Sequence, residues 1–189
     1  DAVVVVADSW WRAKKGLDAL AIEWDYGEHA DASSEAFLAR FRRDLDEKGV
    51  VASEQGDAYG ALGSAASVVE ADYDAPYLAH MCMEPMNCTV HARKNRVDVW
   101  VGHQNPETVL GTAAEVAGVA PENVHVHNCF LGGGFGRRSQ PDFVRLATKV
   151  ARELDRPVQV IWSREADTAT GWFRPLAAFR FRAGLDADG

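Results

Sequence analysis

Residues 88–138, CTVHARKNRVDVWVGHQNPETVLGTAAEVAGVAPENVHVHNCFLGGGFGRR, decide the fold class. Two alternating runs, residues 88–92 and 96–101, flank the turn residues Arg93, Lys94 and Asn95, the pattern of a β-hairpin. Asn105-Pro106 then starts a helix, because the Asn side chain accepts from first-turn N–H groups and proline's fixed φ fits there. Val109, Leu110, Ala113 and Ala117 follow at helical spacing, and Gly118 stops the helix. Residues 124–129 alternate as a strand that runs into a glycine-rich loop, and a helix over about 142–154 turns Phe143, Leu146, Ala147 and Val150 inward. A hairpin beside a strand–helix–strand unit mixes antiparallel and parallel pairing, so the expected class is α+β rather than a doubly wound sheet.

Outward from this segment, Pro157 sets up a strand over 158–162, and a last strand spans about 178–183. Toward the N-terminus, the apolar run 3–7 reads as a buried strand, and Ser9 caps a helix to about Leu20 in which Trp10 and Trp11 are expected to pack in a core. Residues 22–26 alternate like a strand. Residues 31–49 read as the clearest helix, capped by Ser33 or Asp31, and 63–73 as a strand.

The chain of 189 residues carries 20 Lys and Arg against 28 Asp and Glu, a net charge of -8 that disfavours nucleic acid as a partner. Cys82, Cys88 and Cys129 form no CxxC, which argues against a zinc ribbon and a cysteine-bound iron–sulfur cluster. No run of about 18 apolar residues exists, so no spanning helix is expected. Asp1 leads directly into an apolar run and the chain ends on a turn-like DADG. Both ends therefore read as cut, and a targeting signal would lie outside the sequence.

The glycine loop is the strongest chemical signal. Gly132, Gly133, Gly134 and Gly136 allow left-handed backbone and close approach of a ligand. Exposed N–H groups ahead of a helix suit an anion or oxo group. Phe135 must plug a core or face a ligand, and Arg137 and Arg138 can hold phosphate or be solvated in a tight turn. The spacing matches neither a dinucleotide fingerprint nor a P-loop. Gln104, between a strand and a helix cap, can offer an amide to a ligand. Residues 80–87 gather His80, Cys82, Glu84 and three Met; they read as a packed core segment more readily than as a soft-metal site. His125 and His127 share one strand face, read as a surface pair because no third ligand is identifiable. Ser64 and Ser163 are not in nucleophile elbows, and Glu84, Glu165 and Asp167 have no evident partner.

In their order along the chain these motifs resemble the large, molybdenum-binding subunit of the xanthine dehydrogenase/aldehyde oxidoreductase family. The branch is that of the isoquinoline 1-oxidoreductase β-subunit and membrane-associated aldehyde dehydrogenase large chains. The matching residues are ADSWWRA (7–13), YLAH (77–80), MEPMNC (83–88), VWV (99–101), Gln104, GGGFGRR (132–138), WSRE (162–165) and Arg174-Pro175.

The resemblance implies that residues 1–27 end a hammerhead-like α/β domain and 28–189 form part of the first molybdopterin-binding domain. It places Gln104 near the oxo side of the molybdenum centre. It also places Gly132, Gly133, Gly134, Phe135, Gly136 and Arg137 at the cofactor, Phe135 and Gly136 nearest, with no metal ligand from this chain. It implies hydroxylation of an aldehyde or N-heterocycle with water as oxygen source. The cofactor would be molybdopterin, in its cytosine dinucleotide form, with molybdenum. The implied partners are a small iron–sulfur subunit and a cytochrome c acceptor. Related chains often carry a twin-arginine export signal, which implies a periplasmic or membrane-associated parent, although the segment that would decide this is outside the sequence. Arg138-Ser139 stands where xanthine-type members have an acid, so purine specificity is not expected. The family's glutamate base and its second cofactor domain lie outside these residues. The isolated chain is therefore expected to be inactive and to bind cofactor weakly or not at all. The alternative reading is a phosphate- or nucleotide-binding module without redox activity.

Overall fold

The computed structural model describes residues 2–189; Asp1 lies outside the described residues. The fold is α+β, and the chain divides into two compact units. One comprises residues 1–23 and 79–173, the other residues 24–78 and 174–189. The two-residue strands β2 (Leu78–Ala79) and β7 (Phe173–Arg174) lie where the chain passes between them.

The larger unit is built on a four-stranded sheet in the order β5-β4-β3-β6. Strands β3 (Asn87–Arg93) and β4 (Arg96–Val101) form the expected hairpin. Helix α4 (Pro106–Ala117) then crosses over to β5 (Val124–Asn128), which pairs with β4 in parallel. Asn105 accepts from Thr108 N, and Gly118, at φ 68°, closes the helix in the left-handed region that favours glycine. Helix α5 (Asp142–Arg152) leads to β6 (Val158–Ile161), antiparallel to β3. Val90, Val97, Val99, Val109, Ala113, Phe143, Val144 and Ala147 are all buried in one cluster. One face of the sheet is thus covered by the apolar stripes of α4 and α5.

At the N-terminus of this unit, α1 (Trp10–Asp18) is capped by Ser9 as expected. Its tryptophans do not enter a core. Trp10 is 41% and Trp11 60% exposed, and Trp10 Nε1 instead donates to the Ile161 carbonyl at 3.0 Å. The strands expected at 3–7 and 22–26 do not form: among the described residues no strand lies alongside to complete a ladder, and an apolar or alternating run alone does not make one. A short helix α6 (Arg164–Thr170), capped by Ser163, follows β6.

The smaller unit is an antiparallel ribbon of β1 (Ser67–Ala75) and β8 (Ala177–Leu185), with α2 (Ser34–Asp44) and α3 (Ala58–Ser64). Ser33, not Asp31, caps α2. The strand expected from residue 63 begins later, because Asp57 caps a helix that still holds Gly63 and Ser64. Across the ribbon Arg180 pairs with Asp72 at 2.9 Å, and Arg42 of α2 pairs with Asp74.

Candidate functional site

Parallel pairing of β4 with β5 brings two loops to one end of the sheet. Val101 lies opposite Asn128, and Cys129 N donates to the Val101 carbonyl at 2.9 Å, so the chain leaves both strands side by side. Ligands of open α/β sheets collect at such carboxyl ends. Gln104 follows β4 and the glycine loop follows β5. The approach is tight: a Cβ on Gly102 would lie 3.0 Å from Leu131 Cβ.

Gln104 and the loop are in direct contact. Gln104 Oε1 accepts from Gly136 N at 3.0 Å, and Gln104 N donates to the Arg138 carbonyl at 3.0 Å. A Cβ on Gly134 would fall 2.6 Å from Gln104 Oε1, so a side chain there would have to push that amide aside. Gly133 and Gly136 sit at φ 95° and 91°, where glycine is favoured, and Phe135 is held at φ 50°. The Phe135 ring faces outward at 71% exposure rather than plugging a core. Gly132 N and Gly136 N are committed to side chains of this chain, whereas the described residues supply no acceptor to the N–H groups of Gly133, Gly134 or Phe135. With its oxygen already accepting from Gly136 N, Gln104 has its NH2 group to offer a ligand as a donor. The loop thus keeps N–H groups with no acceptor among the described residues beside the Gln104 amide, donors that suit an oxo or phosphate-type acceptor.

The two arginines do something other than expected. Arg138 is fully buried. Its Nε donates to the Gly133 carbonyl at 2.9 Å, Nη1 to Gly102 O at 3.1 Å, and Nη2 to Glu84 O at 2.8 Å and Pro85 O at 3.2 Å. Arg137 is 3% exposed, holds both Asp142 carboxylate oxygens at 2.8 Å, and lies between the rings of Phe143 and Trp162. Neither guanidinium is solvated or free to grip phosphate. That overturns the two-arginine phosphate clamp and leaves the nucleotide-binding alternative without its charged ligands. A buried charge must be paired, and here the chain's own carbonyls and carboxylates do most of the pairing, although among the described residues Arg137 Nε has no acceptor.

Glu84, read without a partner in the sequence, has three. Oε2 accepts from Gly132 N at 2.7 Å and lies 3.1 Å from Arg138 Nη2, while Oε1 accepts from Asn87 Nδ2 at 2.7 Å. Burial opposes ionisation, but the Gly132 N–H, the Asn87 amide and Arg138 outweigh it and hold the carboxyl below its usual range. His103, beside Gln104, is 2% exposed. Its Nδ1 accepts from Asn105 N at 3.0 Å and its Nε2 faces the Gln140 carbonyl at 3.3 Å, an arrangement suited to a neutral ring. Burial foremost pushes its pKa down.

Other candidate residues lie elsewhere or act structurally. Cys82 and Met86 are buried, as a packed segment requires, but Met81 and Met83 face outward. Cys82 Sγ approaches the Gly134 carbonyl at 3.5 Å. His127 stacks on Trp100 and meets Asp98 Oδ1 at 3.2 Å. Asp167 pairs with Arg164 at 3.1 Å. The Glu84 network was signalled in the sequence only by the order of the MEPMN and GGGFGRR motifs, with no local pattern joining them.

Residues 43–189 match the family described as molybdopterin cofactor-binding domain. The chain is 31% identical over 188 residues to a membrane-bound aldehyde dehydrogenase (pyrroloquinoline-quinone) of Gluconacetobacter polyoxogenes, covering 98% of this chain and 24% of that protein. It is 36% identical over 114 residues to the isoquinoline 1-oxidoreductase subunit beta of Brevundimonas diminuta, covering 60% of this chain and 14% of that one. In fold it resembles quinoline 2-oxidoreductase from Pseudomonas putida 86, with a TM-score of 0.75 at 19% identity over 96% of this chain and 24% of that one. The chain thus spans about a quarter or less of the length of these relatives.

Proposed function

Because the chain belongs to the molybdopterin cofactor-binding domain family, we propose that it forms part of the cofactor cradle of a molybdenum hydroxylase acting on aldehydes or N-heterocycles. The observation that carries this reading is the packing of Gly134 under the Gln104 amide. It brings the Gln104 NH2 alongside the loop that carries the unbonded N–H groups of Gly133, Gly134 and Phe135. These donors fit the oxo and phosphate oxygens of a molybdopterin cofactor in its cytosine dinucleotide form. When bound, that cofactor supplies redox chemistry that hydroxylates an electron-poor carbon with oxygen from water. The chain's own part is to bind and orient: Gln104 would donate toward the oxo side, the N–H groups of Gly133, Gly134 and Phe135 would donate to the cofactor, and Arg137 holds the loop's exit through Asp142.

The whole protein is proposed to pass its electrons to a small iron–sulfur subunit and onward to a cytochrome c. Relatives named as subunits of larger enzymes support the first of these. The quinone in the name of the Gluconacetobacter relative is a different cofactor class; the match over residues 43–189 favours molybdopterin here. A relative named as membrane-bound supports a periplasmic or membrane-associated location, while no described helix is long and apolar enough to cross a membrane. Residues 1–27 are assigned to the end of a preceding hammerhead-like domain, and the family match beginning at residue 43 falls within the part assigned to cofactor binding.

The test is metal and pterin analysis of the protein expressed from its complete coding sequence, followed by dye reduction with an aldehyde and with isoquinoline. Molybdenum with a cytosine-dinucleotide pterin, and reduction dependent on one of these substrates, is the expected result. Purified protein that turns over without molybdenum overturns the reading.

A further inference from the structure

We propose that Glu84 is a positioning residue whose ionised carboxylate sets the shape of the glycine loop and, through Arg138, ties that loop to Gln104. The inference rests on the reading of the loop as a cofactor cradle, but its geometry stands alone.

Glu84 and Gly132 bond reciprocally. Glu84 N donates to the Gly132 carbonyl at 3.1 Å, and the Glu84 carboxylate accepts from Gly132 N at 2.7 Å. The contact is close enough that a Cβ on Gly132 would lie 2.6 Å from Glu84 Cβ. Arg138, at the other end of the loop, lies against the same carboxylate oxygen and donates to the Glu84 and Pro85 carbonyls. It also reaches the Gly133 and Gly102 carbonyls. One side chain therefore joins the loop's entry, its exit and the strand end that carries Gln104 two residues later.

Both carboxylate oxygens are used within the chain, one by Gly132 and Arg138, the other by Asn87. Glu84 is thus a support for the donors, not a ligand-facing acid. The geometry also requires a carboxylate rather than any acceptor. All three partners are donors, and an amide offers only one oxygen. A glutamine turned to accept from Gly132 would set its NH2 against the Asn87 NH2; turned the other way, it would face Gly132 N–H and Arg138.

Hydrogen–deuterium exchange of the full-length protein tests this, with molybdenum content measured alongside. In Glu84→Gln, exchange of the Gly132 amide, with that of Gly136 at the loop's exit, is expected to rise about tenfold to hundredfold, the loss of one hydrogen bond to a charged acceptor. Exchange in strand β4 should stay as in the wild type, and molybdenum per chain should fall. Adding Asn87→Asp gives the glutamine NH2 a carboxylate to donate to, and is expected to restore loop protection and molybdenum content. Unchanged loop exchange in Glu84→Gln overturns the proposal, as does a loosened loop with undiminished molybdenum. Should Glu84→Gln unfold outright, the double variant decides: a folded protein with wild-type loop protection supports the pairing, and an unfolded one overturns it. Wild-type protein without molybdenum would instead defeat the cofactor reading, and the exchange result would still judge Glu84.

Discussion

Gly134 lies so close under the side chain of Gln104 that a Cβ at position 134 would come within 2.6 Å of the amide oxygen and 2.7 Å of Cδ. That oxygen is the acceptor for Gly136 N–H, so the contact fixes both the amide's direction and the loop's exit. Gly134→Ala must displace Gln104 and break the bond to Gly136, at about 1–3 kcal/mol of overpacking. Gly136→Ala meets no neighbouring atom and costs only the left-handed backbone strain at φ 91°, about 1–2 kcal/mol. Urea unfolding combined with exchange of the Gly136 amide separates the two. Gly134→Ala should lose protection at Gly136, and a protected Gly136 amide in that variant would contradict the contact.

Arg138 is the fully buried cation beneath the loop. Arg138→Met leaves the carbonyls of Gly102, Gly133, Glu84 and Pro85 without this donor and takes from the Glu84 carboxylate its paired cation, leaving it the Gly132 N–H and the Asn87 amide. The expected loss is about 3–5 kcal/mol, as for one partner removed from a buried pair. Arg138→Lys keeps the charge but not the planar fork that spreads donors over several carbonyls, and should recover only part of the loss. Denaturant midpoints of the two variants check the order; equal stability of Arg138→Met and wild type would contradict it.

His103 makes the stability of this unit depend on pH. Its folded pKa lies below the ordinary 6.5, foremost because burial disfavours the cation. Arg138 also lowers it, while Asp142 and the Gln140 carbonyl work the other way. As pH falls, the unfolded chain takes up this proton first, so stability declines from about pH 6.5 downward until the folded pKa is passed. One such group contributes at most about 1.4 kcal/mol per pH unit. His103→Asn should flatten the fall in melting temperature between neutral pH and pH 5 relative to the wild type, and parallel curves would refute the assignment.

The larger unit's elements were legible in the sequence because their signals are local. Asn105, Pro106 and Gly118 delimit α4, Ser9 caps α1, and residues 87–101 alternate as a hairpin, just as Ser33 caps α2 in the smaller unit. The short helices α3 and α6 were missed, since about two turns offer too little periodicity to distinguish them from a turn or a strand lead-in. The strands expected at 3–7 and 22–26 show the opposite error: an apolar or alternating run specifies a strand only when another backbone is there to pair with it.

For the site, the sequence by itself determined the residue types: glycines that free backbone donors, an amide after a strand, and motifs in the order of the cofactor-binding family. What each charged group does was decided only by the tertiary structure. Arg138 meets Pro85 and Glu84 across 53 and 54 positions, and Glu84 meets Gly132 across 48. No local periodicity encodes pairs so far apart. Two arginines beside a glycine loop read as anion ligands until folding buries them, and a buried guanidinium must be satisfied by whatever acceptors the packing brings to it.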